Sequence, residues 1–188
     1  MSLPIRYEIL PGLPPYGPMY VPISEDGRPF ASEGFVVRIY RNDGTSWVAN
    51  CAPGVTDFSG VFPLIATEQI VVIAGGAGYF LHSGQPTPTQ CFGINIRGIV
   101  PNASQRLIFY TDTEVEVIEP DGTLWISERI GYDGLKDLSC QDDMVSGLVF
   151  DVLQTGNGVE GWEDVWESFT LNLITREVQG GPFAKRPD

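Results

Sequence analysis

The residues best equipped for chemistry are carboxylates set beside tryptophans. Gly161-Trp162-Glu163-Asp164-Val165-Trp166-Glu167 interleaves two indoles with Glu163, Asp164 and Glu167, a mixture that combines contact area with charge and recurs in binding surfaces. Trp166 leads into Phe169-Leu171-Leu173 and is expected to be buried, whereas Trp162 stands between a surface anchor and a packing residue. A second acidic run comprises Asp133, Asp137, Asp142 and Asp143, and Glu160 joins Glu163, Asp164 and Glu167 in a third. Paired carboxylates perform glycoside hydrolysis or hold calcium when their separations are right. The alternation D-x-D-x-D-G is absent, so a solvated acidic rim is the first reading.

Other chemistries find little support. His82 is the only histidine, so any triad must use it, yet no G-x-S-x-G accompanies it and it reads as a strand-end residue. Gly75-Gly76-Ala77-Gly78 follows an apolar strand, but the third glycine of a dinucleotide fingerprint would fall at Leu81. Pro86 and Pro88 then forbid the helix that would hold a pyrophosphate, so a tight β-turn is expected and no cofactor. Cys51, Cys91 and Cys140 lack C-x-x-C spacing and are expected to be buried thiols of a reducing cytoplasm, without disulfide or zinc.

Charge narrows the partners. Among 188 residues, 24 acidic against 11 basic side chains give a net charge of −13. Such a chain disfavours nucleic acid, where affinity comes from Lys and Arg displacing counterions, and disfavours anionic membranes. A basic or neutral protein partner is the compatible one. Met1-Ser2-Leu3-Pro4 lacks the basic and apolar regions of a secretion signal, and no apolar run approaches the roughly 18 residues that span a bilayer.

Positioning falls to β-structure. Residues 1–34 carry seven prolines and suit an extended segment laid on a sheet, anchored by Tyr7, Tyr16, Tyr20 and Phe30. Phe35 to Tyr40, the turn Asn42-Asp43-Gly44, and Ser46 to Ala49 predict a hairpin. Further strands are expected at Gln69–Ala74, Tyr79–Leu81, Phe92–Arg97, Arg106–Tyr110, Glu114–Ile118, Leu124–Ile130, Val145–Val152 and Phe169–Leu173. Residues 159–168 are the one stretch compatible with a short helix.

Asp43-Gly44-Thr45-Ser46-Trp47 recurs as Asp121-Gly122-Thr123-Leu124-Trp125, 78 positions on. At that offset Val37 meets Val115, Ile39 meets Val117, Val48 meets Ile126, Ile70 meets Leu148 and Val71 meets Val149. Duplication of one unit is the expectation. The chain then reads as a single all-β domain over 1–188, with a first β-unit at 35–81 and a second at 113–181. The two form a sandwich or partly closed barrel, with propeller-like blades as the alternative.

Trp125-Ile126-Ser127-Glu128-Arg129-Ile130-Gly131-Tyr132-Asp133-Gly134-Leu135-Lys136-Asp137-Leu138 resembles the signature of a family of small uncharacterised bacterial proteins, cyanobacterial ones included. Tyr16-Gly17-Pro18-Met19-Tyr20, Gly34-Phe35-Val36-Val37, Trp47-Val48-Ala49-Asn50, Val71 to Gly76, Phe169-Thr170-Leu171 and Gly180-Gly181 are similar to it as well. The resemblance implies a bacterial, stand-alone, cytoplasmic β-protein and carries no catalytic residues. Within the signature, Ser127 to Ile130 is expected as strand, Tyr132-Asp133-Gly134 as turn, and Glu128 with Arg129 as an ion pair to neighbouring strands.

Two functions follow. The first is a non-enzymatic acidic interaction module of inhibitor or immunity type, with Trp162, Glu163, Asp164, Glu128, Arg129, Asp133 and Asp137 as binding candidates. The second is a small-molecule or carbohydrate-binding β-domain, with or without hydrolytic activity, using Trp162 with Asp133 or Asp137. A homodimer through an exposed sheet edge is compatible with either.

Overall fold

The computed structural model describes residues 6–17, 19–30, 32–64, 66–154 and 162–183, with the side chains of 152–154 and 162–164 outside that description. Every regular element among them is a β-strand, in four four-stranded sheets, none of them closed. No helix is long and apolar enough to cross a membrane. Residues 162–168, compatible in sequence with a helix, belong to a strand. The chain divides into two compact units, Met1–Arg97 with Pro120–Gly122, and Gly98–Glu119 with Thr123–Asp188.

In the first unit, β1 (Tyr7–Ile9), β2 (Val21–Ile23), β3 (Phe35–Tyr40) and β4 (Ser46–Cys51) form a sheet ordered β1-β3-β4-β2. The prolines of the N-terminal segment break it into pieces short enough to join both edges of one hairpin, β1 antiparallel to β3 and β2 parallel to β4. Tyr7 and Phe35 pack on the core, but Tyr16 is 90% and Tyr20 37% exposed, so neither anchors the segment as expected. The second sheet is a meander of β5 (Gly60–Leu64), β6 (Gln69–Ala74), β7 (Ala77–His82) and β8 (Gln85–Phe92). Gly75 and Gly76 turn β6 into β7 with φ of 52° and 90°, the two successive positive values that a two-residue hairpin demands.

The period-two segment Phe92–Arg97 is not the strand it predicts. The strand is Gln85–Phe92, which ends where that segment begins. Pro86 and Pro88 are tolerated because β8 is an edge, paired only with β7, and an edge can spare the missing donors. Ile23, Val37, Ile39, Trp47 and Ala49 from one sheet meet Ile70, Val72, Tyr79 and Leu81 from the other in a common core. Burial of each large side chain contributes about 1.5–3 kcal/mol.

In the second unit, β9 (Gly98–Ile99), β10 (Leu107–Tyr110), β11 (Val115–Ile118) and β12 (Leu124–Ile126) form one sheet in chain order. The other is a meander of β13 (Leu135–Gln141), β14 (Met144–Gln154), β15 (Trp162–Asn172) and β16 (Val178–Gly180). Ile108, Val115, Val117 and Trp125 meet Leu135, Val145, Val149, Phe169 and Leu171 in its core. Strand β12 stops at Ile126 rather than Ile130. Ser127 Oγ accepts from the Val115 N–H at 3.0 Å and donates to the Glu128 carbonyl, a local competition that ends the ladder.

The hairpins 78 residues apart share one register. Ile39 stands opposite Trp47 and Tyr40 opposite Ser46, as Val117 stands opposite Trp125 and Ile118 opposite Leu124. Gly44 and Gly122 turn them at φ 85° and 89°. The offset fails in the following strand. Ile70 and Val72 enter the first core while Val145 and Val149 enter the second, so the ungapped pairing of Ile70 with Leu148 joins opposite faces. A one-residue slip in a period of two inverts every side chain.

Candidate binding cleft

Strand β12 is one edge of its sheet and β16 one edge of the other. Where these edges meet, a cleft of about 500 Å³ opens, lined by Ile126, Ser127, Glu128 and Arg129 on one side and by Thr175 to Gln179 with Phe183 on the other. Its volume lies in the range of ligand and peptide sites.

The connection from β15 to β16 is shaped by Asn172, whose Oδ1 accepts from the N–H groups of Ile174 and Thr175 at 2.8 and 3.0 Å. Arg176 follows with φ 63°, and its guanidinium lies 5.0 Å from the centre of the Trp125 ring. Trp125 in turn donates from Nε1 to Glu119 at 3.0 Å. The second oxygen of Glu119 accepts from Arg106 Nε at 2.8 Å, and Arg106 also binds Asp143. The floor of the site is thereby tied to both sheets of its unit.

Arg129 does not form the expected interstrand ion pair. It donates to the carbonyls of Gly131 and Tyr132 at 2.9 and 3.1 Å, and it covers the rings of Tyr132 and Phe183, themselves 4.5 Å apart. Among the described residues, neither Arg129 nor Arg176 is paired with a carboxylate. In a chain of net charge −13, the lining balances these two guanidiniums against Glu128 and Glu177 and is locally neutral.

Of the residues proposed from sequence, the cleft gathers Glu128 and Arg129. Asp133 and Asp137 are exposed and lie outside its lining. Asp137 occupies a bulge between Lys136 and Ser139 with φ 54°, and Asp142 turns β13 toward β14 at φ 53°. Both therefore answer a backbone demand that Asp tolerates. No group of three metal-ligating side chains converges among the described residues. Trp162, Glu163 and Asp164 pair through the backbone of β15 with Gln154, Leu153 and Val152, and their side chains lie outside the described residues. Trp166 is 38% exposed, a correction explained by parity: Phe169 and Leu171 point to the core, and an even-numbered neighbour points away. Its ring meets Phe150 edge-on at 5.5 Å and carries Lys136 Nζ 3.6 Å from its centre.

The thiols are not uniformly buried. Cys51 is, but Cys91 and Cys140 are half-exposed, and all three are free. Cys91 borders a cleft of about 700 Å³ in the first unit with Glu25, Tyr79 and Phe92. Burial, then Glu25, pushes the Cys91 thiol up, and burial pushes Tyr79 up, which disfavours the thiolate at Cys91. His82 ends β7, its Nδ1 accepting from the Gly84 N–H at 3.0 Å.

One further group escaped the sequence reading. Glu116 is 3% exposed, its Oε2 has no hydrogen-bond partner, and burial with Glu114 nearby pushes its carboxyl up to about 7. It alternates with Val115 and Val117 and so lies on the face of its sheet away from that core. Compared with known protein families, curated proteins and solved structures, the chain matches none.

Proposed function

We propose that the chain is a non-enzymatic interaction module, made by duplication of one β-unit, that receives a protein partner in the cleft between β12 and β16. The single observation that carries this reading is a cleft between two sheet edges that holds Arg129 and Arg176, neither in an ion pair among the described residues, together with Glu128 and Glu177. The net acidity disfavours an acidic partner, and the lining of two guanidiniums and two carboxylates suits a neutral partner that presents both signs of charge where it docks. The free thiols suit a bacterial cytoplasm, in keeping with the resemblance of the Trp125 to Leu138 segment.

The test is capture of the partner from native lysate, followed by hydrogen exchange on the isolated complex. Slowed exchange at 126–129 and 175–179 is the expected result. Protection confined to any other surface would overturn the reading. Failure of Arg129→Glu with Arg176→Glu to weaken capture would do the same.

A small-molecule reading is favoured by the size of the first unit's cleft, whose lining includes the buried rings of Tyr79 and Phe92. Ligand screening with shifts mapped to Tyr79 and Phe92 decides it.

A further inference from the structure

The cleft of the first unit is as one-sided in charge as that of the second is balanced. Its lining holds Glu25 and Asp26 and no lysine, arginine or histidine, whereas the cleft between β12 and β16 sets two guanidiniums beside two carboxylates. Both acids sit in the turn that follows β2. The Gly27 N–H donates to the Ser24 carbonyl at 3.2 Å, with Gly27 at φ 68°. Asp26 Oδ1 accepts from Ser24 Oγ and from the Arg28 N–H, each at 3.0 Å, and Asp26 Oδ2 lies 3.7 Å from Arg28 Nε, so this carboxylate is already engaged. The Glu25 carboxylate takes part in no hydrogen bond or ion pair among the described residues.

The other lining residues leave selectivity to that charge. Ala52, Pro53, Ala77 and Ile94 are apolar, the rings of Tyr79 and Phe92 are buried, and the Tyr79 hydroxyl is engaged in donating to the Ala52 carbonyl at 2.9 Å. Burial comes first, and the field of Glu25 adds to it, in pushing both the Cys91 thiol and the Tyr79 hydroxyl up. An unpaired carboxylate on a cleft of one sign of charge with apolar walls focuses its field into that space and concentrates counter-ions there. The net charge of −13 adds to the attraction, and about 700 Å³ is the size of a small-ligand site.

Resting on the small-molecule reading of this cleft, we infer that its ligand is a small organic cation, a primary ammonium or guanidinium on a short apolar body. The cation meets Glu25, and the body lies against the apolar walls. An anion is repelled by both carboxylates, and a neutral molecule of the same shape keeps the apolar contact but forgoes the charge-assisted bond.

The probes are pentylamine, pentanol and pentanoate, one shape with three charges at neutral pH, each titrated to about 10 mM, past the roughly 1 mM range of weak binding, into the isotopically labelled full chain. Pentylamine should give saturable shifts at the amides of 52, 54, 77–79 and 91–94, pentanoate none there, and pentanol binding about tenfold weaker than the amine. Glu25→Gln, a change in an exposed turn, should weaken pentylamine about tenfold. Glu8→Gln removes the same charge elsewhere on the first unit and should leave binding unchanged. Raising salt from about 0.01 M to about 1 M shortens the screening length from about 30 Å to about 3 Å and should weaken the amine while sparing the alcohol. Absence of cleft shifts with all three probes overturns the inference together with the small-molecule reading. Pentanol binding as tightly as pentylamine, or unchanged pentylamine binding by Glu25→Gln, overturns the inference and leaves that reading standing. Tighter binding of N-acetyl-lysine methylamide than of pentylamine overturns it in favour of a lysine side chain of a protein partner.

Discussion

Arg176 lays its guanidinium 5.0 Å from the centre of the Trp125 ring from a left-handed backbone position, φ 63°. Two opposed effects meet at this residue, strain of the main chain and cation–π attraction at the side chain. Arg176→Gly relieves the first and loses the second, each worth about 0.5–1 kcal/mol. Chemical denaturation should therefore show a change within about 0.5 kcal/mol, whereas Arg176→Val, which loses the attraction and worsens the strain, should cost about 1–2 kcal/mol. Equal destabilisation by both would place the effect outside the backbone.

Glu116 sets a pH dependence opposite to that of a salt-bridged carboxylate. Its folded value of about 7 exceeds the ordinary 4.5, so the folded chain binds the proton where the unfolded chain has released it. The favourable contribution is complete below about pH 4.5 and is lost as pH rises through about 7, an effect of about 3 kcal/mol. Urea titrations of wild type and Glu116→Gln across pH 4 to 9 should converge at the acid end, with the variant's advantage growing between about pH 4.5 and 7 and level above that. A constant difference at all pH values would refute the assignment.

At the β13 bulge, Asp137→Gly should leave stability within about 1 kcal/mol, since glycine adopts φ 54° freely. Asp137→Val should lose about 1–3 kcal/mol. Thermal melts separate the two, and equal loss would mean that the carboxylate itself, not the bulge, is needed.

The two tryptophans of the second unit should differ in cost. Trp125→Ala empties a core position and removes the donor to Glu119, with a loss of about 3–5 kcal/mol. Trp166→Ala removes a partly exposed ring and its contact with Lys136 and should cost roughly half as much or less. Denaturant midpoints at constant slope test the order, and a reversed order would contradict the face assigned to Trp166.

Arg106 joins Glu119 and Asp143 at a largely shielded position. Arg106→Met leaves both carboxylates unmatched and should cost about 2 kcal/mol, with part of that recovered by adding Glu119→Gln. A double-mutant cycle measures the coupling, and strict additivity would show that the bridge contributes nothing.

What the sequence made legible was local. Asn42-Asp43-Gly44 and Pro120-Asp121-Gly122 announce their turns because positive φ at Gly44 and Gly122 is a demand of the hairpin itself, and Trp47 and Trp125 mark the same register in both. Short strands such as β2, β5 and β16 were not foreseen, because their conformation depends on partners distant in the chain. Trp166 and Leu148 were misplaced by parity, which apolar content alone does not reveal when one residue of slip exchanges core for surface. Of the candidate cleft, Glu128 and Arg129 were visible within the Trp125 to Leu138 segment. Arg176 was not, since its left-handed conformation is imposed by the Asn172 turn and arginine carries no compositional sign of it.

The placement of β2 has a kinetic consequence. In the second unit each strand pairs with its successor in both sheets, so every ladder there can close across a short loop. In the first unit β1 must wait for β3 across a long proline-rich stretch, and β2 for β4 across the 22 residues that include β3. Loop-closure entropy and contact order then make the second unit the earlier to zip up, with the parallel ladder of β2 among the last to form.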